Sequence, residues 1–466
     1  MSISIVHEDT ICAVSTAPGV GGIAVIRISG SAAIAICEKV FTPIKKQKQL
    51  LTQQTHTLSY GTISKNGETI DDVLLAIFRT PHSYTGEDTI EISCHGSLFV
   101  QQQLVQLLIE NGCRLALPGE FTQRAFLNGK MDLSQAEAVA DLIASTSAAT
   151  HRLALNQMKG GFSRELDLLR ERLLDFAALI ELELDFSEED VEFADRTNLK
   201  KLAVEIESII QKLADSFSVG NAIKNGVPVA IIGETNAGKS TLLNLLLKEE
   251  KAIVSDIHGT TRDVIEDVIN IGGITFRFID TAGIRETADV IESLGIERTF
   301  QKIEQAEIVL WMIDATSSVE SVQNLAKRVL PAIEGKTLLT IFNKSDKIGD
   351  NEKTERTSLF TSSNPLFISA KEKINTDKLQ KQLIEAAHLP EVTSNDVIVT
   401  NLRHYEALTR ANAAITRVIE AMDNGISADF LAQDIRECIY YLAAITGKIS
   451  ANEILHTIFR RFCIGK

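Results

Sequence analysis

The sequence predicts a multidomain α+β protein, and three changes of pattern along its 466 residues support this. Short β-branched runs punctuated by glycine and proline predict an N-terminal α/β domain over residues 1–119. Apolar residues at spacings of three and four predict helices over 120–222 and again over 388–466. Strands and helices alternate over 223–387, which predicts a doubly wound α/β domain inserted into a discontinuous all-α helical domain.

Individual elements follow from the same patterns. The runs "GGIAVIRISG", "DDVLLAIF" and "DTIEISCHG" predict strands, and helices are expected at 31–40 and 98–111. Long helices are expected around "LDLLRERLLDFAALIELELDF". In the inserted domain, "ITFRFID", "EIVLWMID", "TLLTIFN" and "PLFIS" predict strands.

The composition, 44% hydrophobic and 23% charged, is that of an ordinary globular protein. A net charge of −15 argues against a protein that wraps nucleic acid by itself, although a partner could hold such a substrate. We expect no membrane association, because no apolar run reaches about 18 residues. No secretory or transit signal is recognisable, and six scattered cysteines without a CxxC pair favour a cytoplasmic location.

The stretch "GETNAGKST", Gly233–Thr241, fits the phosphate-loop pattern G-x-x-x-x-G-K-[ST]. It lies between an apolar strand at 227–232 and a helix beginning "KSTLLNLLLK", the context in which backbone N–H groups bind phosphate. Lys239 is expected to offset phosphate charge. Ser240 is expected to bind Mg²⁺ through its hydroxyl.

Four further motifs follow in the order of a GTP site. "GTTRD" supplies Thr261 as a second Mg²⁺ hydroxyl, and "DTAG" places Asp280 near the metal ion. In "NKSD", the Asp346 carboxylate can accept from guanine N1–H and the exocyclic amine together, which adenine cannot match. "SAK", at 369–371, is expected to contact guanine O6 through a backbone N–H. The predicted GTP-binding residues are Asn236, Ala237, Gly238, Lys239, Ser240, Thr241, Ser255, Asp256, Ile257, His258, Gly259, Thr260, Thr261, Asp280, Thr281, Ala282, Gly283, Asn343, Lys344, Asp346, Ser369, Ala370 and Lys371.

A group that orients the attacking water is not obvious. Ile284 stands where Ras-like enzymes carry a glutamine, so another residue must take that role, with Glu286, Asp289 and Glu292 as candidates. No arginine finger is identifiable either. Asn236 could bind a monovalent cation that supplies positive charge, or it could only hydrogen-bond within its loop, and the residues alone leave both readings open.

Eight segments together resemble a known family. They are "DTICAVSTAPGVGGIAVIRISG", "SYTGEDTIEISCHGS", "PGEFTQRAFLNGKMDLSQAEA", "GETNAGKSTLLN", "IHGTTRD", "DTAGIRET", "NKSD" and "FCIGK". Over essentially the whole chain, this combination resembles the bacterial tRNA-modification GTPases MnmE (TrmE), of the TrmE-Era-EngA-like GTPases. The resemblance implies an N-terminal folate-binding and dimer-forming module, a helical domain, and an inserted Ras-like G domain.

The resemblance also implies an activity. The family works with the FAD-dependent partner MnmG (GidA), as a heterotetramer or larger complex, on C5 of the wobble uridine (position 34) of certain tRNAs. It adds an aminomethyl or carboxymethylaminomethyl group, using a one-carbon unit from 5,10-methylene- or 5-formyl-tetrahydrofolate. Its K⁺ ion would be held here by Asn236 and by backbone oxygens of Ser255, Ile257 and Thr260, and Glu292 would orient the water.

The resemblance points to Arg27, Glu91, Lys130 and Lys466 for folate. Cys463 in "CIGK" is either involved in the modification or an incidental cysteine. Val20 in "PGVGG" departs from many relatives, which carry Arg or Glu there, and puts only local contacts in doubt.

Two other functions stay open on the sequence. The chain could be a ribosome-assembly or RNA-binding GTPase whose N-terminal domain is an interaction module, and folate binding would distinguish the two. Alternatively, GTP could be a structural ligand only, in which case no phosphate would be released.

Overall fold

The computed structural model describes residues 9–44, 49–185, 196–249, 267–279, 303–360, 364–389, 396–424, 426, 428–449, 455, 458–460 and 462–465. The chain divides into two compact units. The first comprises residues 1–143, 157–206 and 410–466, and the second comprises residues 144–156 and 207–409.

The first unit contains a seven-stranded sheet in the order β3-β4-β5-β6-β2-β1-β7. All of its neighbouring strands are antiparallel except β1 and β7, which run parallel. The strands are β1 (Thr10–Val14), β2 (Ile23–Ser29), β3 (Phe41–Pro43), β4 (Thr57–Lys65), β5 (Glu68–Phe78), β6 (Thr89–His95) and β7 (Cys113–Leu115).

Successive side chains of each strand point to opposite faces of the sheet, and the two faces differ in character. On one face, Ile26, Ile28 and Ile92 are fully buried in a core shared with helices α1 (Ala33–Val40) and α2 (Leu98–Glu110). On the other face lie Arg27 and Glu91, which are directly opposite each other in the β2–β6 pairing. The predicted strands and both predicted helices are confirmed here.

Between the first sheet and residue 226, the described residues also form helices α3 (Glu120–Leu127), α4 (Leu133–Ala144), α5 (Ala148–Met158), α6 (Gly161–Asp185) and α7 (Arg196–Asn225). Near the end of the chain, α12 (Leu402–Asp423) and α13 (Ala428–Thr446) follow the same helical period. Helix α13 packs along α6, where Arg436 and Glu181 pair at 2.5 Å. Among the residues that the structure describes, no helix combines the length and apolarity that a membrane span requires.

The second unit is built on a six-stranded sheet in the order β13-β12-β11-β8-β10-β9. All neighbours are parallel except β10 and the edge strand β9. The strands are β8 (Val227–Ile232), β9 (Asp267–Ile271), β10 (Ile274–Phe278), β11 (Ile308–Asp314), β12 (Thr337–Asn343) and β13 (Leu366–Phe367).

Both faces of this sheet are buried, as a doubly wound fold requires. Val229 and Ile231 pack into one core with helices α8 (Lys239–Glu249) and α11 (Thr376–Ala386). Ala230 and Ile232 point into a second core with α9 (Val319–Val329). Helix α10 (Asp350–Thr357) also belongs to this unit. The predicted doubly wound domain is confirmed. The exact domain boundaries remain a prediction, and α7 continues through the expected boundary at 222/223.

Candidate functional site

The phosphate loop connects the end of β8 to the start of α8. Three of its residues have positive φ angles: Gly233 at 148°, Asn236 at 65° and Gly238 at 100°. A Cβ on Gly233 would lie 2.1 Å from the carbonyl oxygen of Met312, and one on Gly238 would lie 2.1 Å from Asn343 Nδ2. Both positions therefore require glycine, because backbone conformation and close packing each exclude a side chain.

Lys239 is the first residue of α8. Its Nζ donates to the carbonyl oxygens of Gly233 at 2.8 Å and Glu234 at 2.7 Å, so the loop curls around the ammonium group. The N-terminus of α8 and this cation give the loop the two features that favour anionic phosphates. Ser240 follows directly and lines the same cavity.

Asn343, the last residue of β12, joins the phosphate loop to the base-binding loops. Its buried side chain donates from Nδ2 to the Ala237 carbonyl at 2.8 Å and accepts at Oδ1 from Ala370 N at 3.0 Å. The donor and the acceptor of this buried amide therefore both have partners, and loss of either partner would lower the stability of the fold. The "NKSD", "SAK" and phosphate-loop motifs are therefore one hydrogen-bonded assembly.

Asp346 lies beside the buried Ser369. A hydrogen bond from the Ser369 side chain is the main cause of a lowered Asp346 pKa, and the nearby charges of Lys347 and Lys371 act in the same direction. The carboxyl group is thus ionised at neutral pH. An anionic acceptor at this position suits the paired N–H donors of guanine.

These groups surround one cavity of about 360 Å³. Its lining residues are Asn236, Gly238, Lys239, Ser240, Thr241, Asn343, Lys344, Asp346, Lys347, Ser369 and Lys371. The structure thus brings together the predicted phosphate loop and both predicted base-binding motifs. Lys347 was not predicted.

Other predicted site residues lie outside the described residues. For GTP, Mg²⁺ and K⁺ they are Ser255, Asp256, Ile257, His258, Gly259, Thr260, Thr261, Asp280, Thr281, Ala282 and Gly283. Ile284 and the candidate catalytic acids Glu286, Asp289 and Glu292 also fall there, as does Lys466.

The N-terminal candidates form a second, separate group. Arg27 Nε and Nη2 contact Glu91 Oε1 at 2.9 and 2.8 Å, and both side chains are partly exposed on the sheet face. The Arg27 guanidinium also lies over the Tyr84 ring at 5.1 Å and near the Phe121 ring at 5.7 Å. Sequence reasoning missed these two aromatic residues, since nothing in their local pattern relates them to Arg27.

Two further candidates lie elsewhere in the same unit. Lys130 Nζ donates to the Pro81 carbonyl at 2.8 Å. Cys463 is exposed, and its carbonyl oxygen accepts from Gly119 N at 3.3 Å. Two residues along, Gly465 accepts at its carbonyl oxygen from Ser15 Oγ at 3.0 Å, which places the terminal motif against the end of β1.

Asp314 is a residue of the nucleotide domain that sequence reasoning missed. It ends β11, and its Oδ2 lies 2.5 Å from Lys344 Nζ of the "NKSD" motif. The available signal was its place at the carboxyl end of a buried parallel strand, where ligand sites of doubly wound sheets occur.

Comparison with known proteins identifies the family of this chain. A family model described as the MnmE helical domain matches residues 133–463, and one described as the GTP-binding protein TrmE N-terminus matches residues 10–130. Relatives named tRNA modification GTPase MnmE from Bacteroides fragilis and Flavobacterium johnsoniae are 65% and 54% identical, each over 99% of this chain and 100% of the relative. A solved Era structure from Aquifex aeolicus, bound to GDP and AlF4⁻, is 31% identical and covers 40% of this chain and 66% of its own, with a TM-score of 0.27. The chain belongs to the MnmE family of tRNA modification GTPases, and it is a GTP hydrolase.

Proposed function

We propose that this protein is a potassium-stimulated GTPase that modifies C5 of the wobble uridine, position 34, of certain tRNAs. It acts with a FAD-dependent partner of the MnmG (GidA) kind and adds an aminomethyl or carboxymethylaminomethyl group, whose one-carbon unit comes from a tetrahydrofolate. The protein works as a homodimer through its N-terminal domain, in a heterotetramer or larger complex, in the cytoplasm. Membership of the MnmE family supports the tRNA part of this proposal.

One observation carries the potassium part. Asn236 is exposed at the nucleotide cavity in a left-handed conformation, φ 65°, and its side chain makes no hydrogen bond with any described residue. That geometry disfavours the reading in which Asn236 only braces its own loop. The carboxamide oxygen is of the hard-oxygen type that alkali cations prefer, so the residue fits a cation ligand.

Three residues of the phosphate loop and the start of α8 suit the ions and phosphates that this proposal requires. Ser240, at the start of α8, fits a hydroxyl ligand for Mg²⁺. A K⁺ ion at Asn236 would supply positive charge near the phosphates in place of an arginine finger. Lys239 would exchange its two loop carbonyls for phosphate oxygens.

The potassium proposal is tested by GTP turnover in KCl and in NaCl. We expect turnover to be much faster in K⁺, and the Asn236→Ala variant to lose this difference while still binding GDP. Asn66→Ala is the matched control, because Asn66 is also an exposed asparagine with positive φ, 53°, but lies in the β4–β5 turn. Equal turnover of the unaltered protein in both salts contradicts the cation role.

The folate part rests on Glu91. Arg27 contacts only Oε1 of this carboxylate, and Oε2 has no hydrogen-bond partner among the residues that the structure describes. A pterin ring presents an N–H and an amino group side by side, and a carboxylate oriented by Arg27 matches that pair. Lys130, with Lys466, would bind the anionic glutamyl tail.

Binding of 5-formyl-tetrahydrofolate to the full-length protein tests this assignment. We expect Glu91→Gln to weaken binding at least tenfold, or about 1.4 kcal/mol. Glu68→Gln, at an exposed position of β5, should bind as the unaltered protein does. Undiminished binding of 5-formyl-tetrahydrofolate by Glu91→Gln contradicts the assignment.

The role of the exposed Cys463 thiol is tested separately, by analysis of the wobble nucleosides in a strain that carries Cys463→Ser.

A further inference from the structure

The carboxylate of Asp314 is fully engaged at the edge of the nucleotide cavity. Oδ2 lies 2.5 Å from Lys344 Nζ, while Oδ1 accepts from Thr316 N at 2.9 Å and from Thr316 Oγ1 at 2.7 Å. The two oxygens thus have different partners, and Thr316 fixes the orientation in which Asp314 faces Lys344. These contacts lie entirely within the second unit.

The pair is ionic and only partly exposed, with Asp314 20% and Lys344 29% accessible. Burial raises the pKa of the Asp314 carboxyl, but the hydrogen bonds from Lys344 and Thr316 outweigh it and leave the pKa below its ordinary value. Asp314 is therefore an anion at neutral pH. A partly shielded ion pair of this kind holds its geometry better than one on an open surface.

Lys344 has a second, unusual constraint. Its backbone is left-handed, φ 62°, between the end of β12 and the short 3₁₀ turn Ser345–Lys347. It lines the cavity beside Asp346, at the end that the "NKSD" motif assigns to the base. A lysine side chain that is already fixed there does not have to be ordered when nucleotide arrives, and such preorganisation increases affinity.

We propose that Asp314 is a positioning residue for guanine-nucleotide binding, which acts by holding Lys344 in place and is itself oriented by Thr316. Lys344 lines the nucleotide cavity, whereas Asp314 is not among the lining residues. The proposal depends on the nucleotide cavity alone and is independent of the potassium and folate assignments. It predicts an effect on binding rather than on the chemical step.

The first test is Asp314→Asn, which keeps the shape but removes the charge. We expect the Kd for GDP and the KM for GTP to rise about tenfold, equivalent to about 1.4 kcal/mol, with kcat at saturating GTP within about twofold of the unaltered protein. Thr316→Val keeps the backbone donor and should raise the same constants by a smaller factor. Asp350→Asn removes a similar charge from an exposed ion pair and serves as the control.

A double-mutant cycle separates positioning from a general structural role. If Asp314 acts through Lys344, adding Asp314→Asn to Lys344→Met causes no further loss of GDP affinity. Independent, additive losses would overturn the proposal, as would an unchanged Kd for GDP in Asp314→Asn. If Asp314→Asn does not fold, Thr316→Val provides the same comparison, and an unchanged Kd for GDP in that variant is then the overturning result.

Discussion

The Asn343 side chain donates a hydrogen bond from Nδ2 to the Ala237 carbonyl oxygen at 2.8 Å, which ties the end of β12 to the phosphate loop. Its Oδ1 accepts from Ala370 N, so one amide holds two loops. In Asn343→Asp, the donor is lost and a carboxylate faces the Ala237 carbonyl.

A buried polar group left without a hydrogen-bond partner costs about 1–3 kcal/mol, so we expect Asn343→Asp to weaken GDP binding by at least about tenfold. Titration with a fluorescent GDP analogue measures this. Asn66→Asp, in the exposed β4–β5 turn, is the control and should bind GDP normally. Near-normal affinity in Asn343→Asp would show that the two loops do not need this link.

Gly238→Ala should abolish nucleotide binding. A Cβ there would lie 2.1 Å from Asn343 Nδ2, in a backbone conformation with φ 100°. The phosphate loop would have to shift away from Asn343, which breaks the hydrogen bond described above. GDP affinity measures the loss of nucleotide binding, and the melting temperature measures the loss of stability that follows from the broken hydrogen bond.

Gly273→Ala provides the matched control for Gly238→Ala. Gly273 also has a positive φ, 84°, but a Cβ there meets nothing within 4 Å. The substitution carries only backbone strain, about 1–2 kcal/mol, and should leave GDP binding intact. If both variants lose GDP binding equally, the steric argument for Gly238 is wrong.

Asp346→Asn should change which nucleotide is used. The ionised carboxylate suits the N–H donors of guanine, whereas an amide can donate to the C2 oxygen of xanthine. We expect kcat/KM for GTP to fall by at least about a hundredfold and that for xanthosine triphosphate to rise. Phosphate release with each nucleotide is the measurement, and an unchanged preference for GTP would argue against base recognition by Asp346.

Acid stability should depend on Glu120. Burial raises the pKa of this carboxyl, but hydrogen bonds from Arg114, Leu117 N and Arg124 outweigh it, so its pKa lies below its ordinary value of about 4.5. A carboxyl group whose pKa is lower in the folded protein stabilises the fold at pH values above its unfolded-state pKa. This stabilisation is lost as the pH falls through the folded-state pKa. Melting temperatures between pH 7 and pH 3 should therefore fall less steeply in Glu120→Gln than in the unaltered protein.

A second glutamate allows a control for this pH effect. Glu110 pairs with Lys65 at 2.7 Å, and the pair is substantially exposed to solvent. Because such exposed pairs contribute little, Glu110→Gln should melt like the unaltered protein at every pH. A pH profile for Glu120→Gln that is indistinguishable from that of Glu110→Gln would contradict the assignment.

The nucleotide domain could be predicted from sequence because its motifs are local. The strand at 227–232, the loop and the helix after it follow from adjacent letters, and the structure has them as β8 and α8. The Asp314–Lys344 pair could not be predicted, because it joins residues 30 positions apart. For the same reason, no pattern relates Arg27 to Tyr84 and Phe121, which only the folded sheet brings together.

The hydrogen bond from Ser15 to Gly465 spans 450 residues of chain. During synthesis, the N-terminal sheet leaves the ribosome long before its contact partners at 462–465 exist. The intervening nucleotide domain, whose strands pair among themselves, can fold in that interval. The N-terminal sheet therefore gains these contacts, and with them the surface around Cys463, only after the whole nucleotide domain has been synthesised.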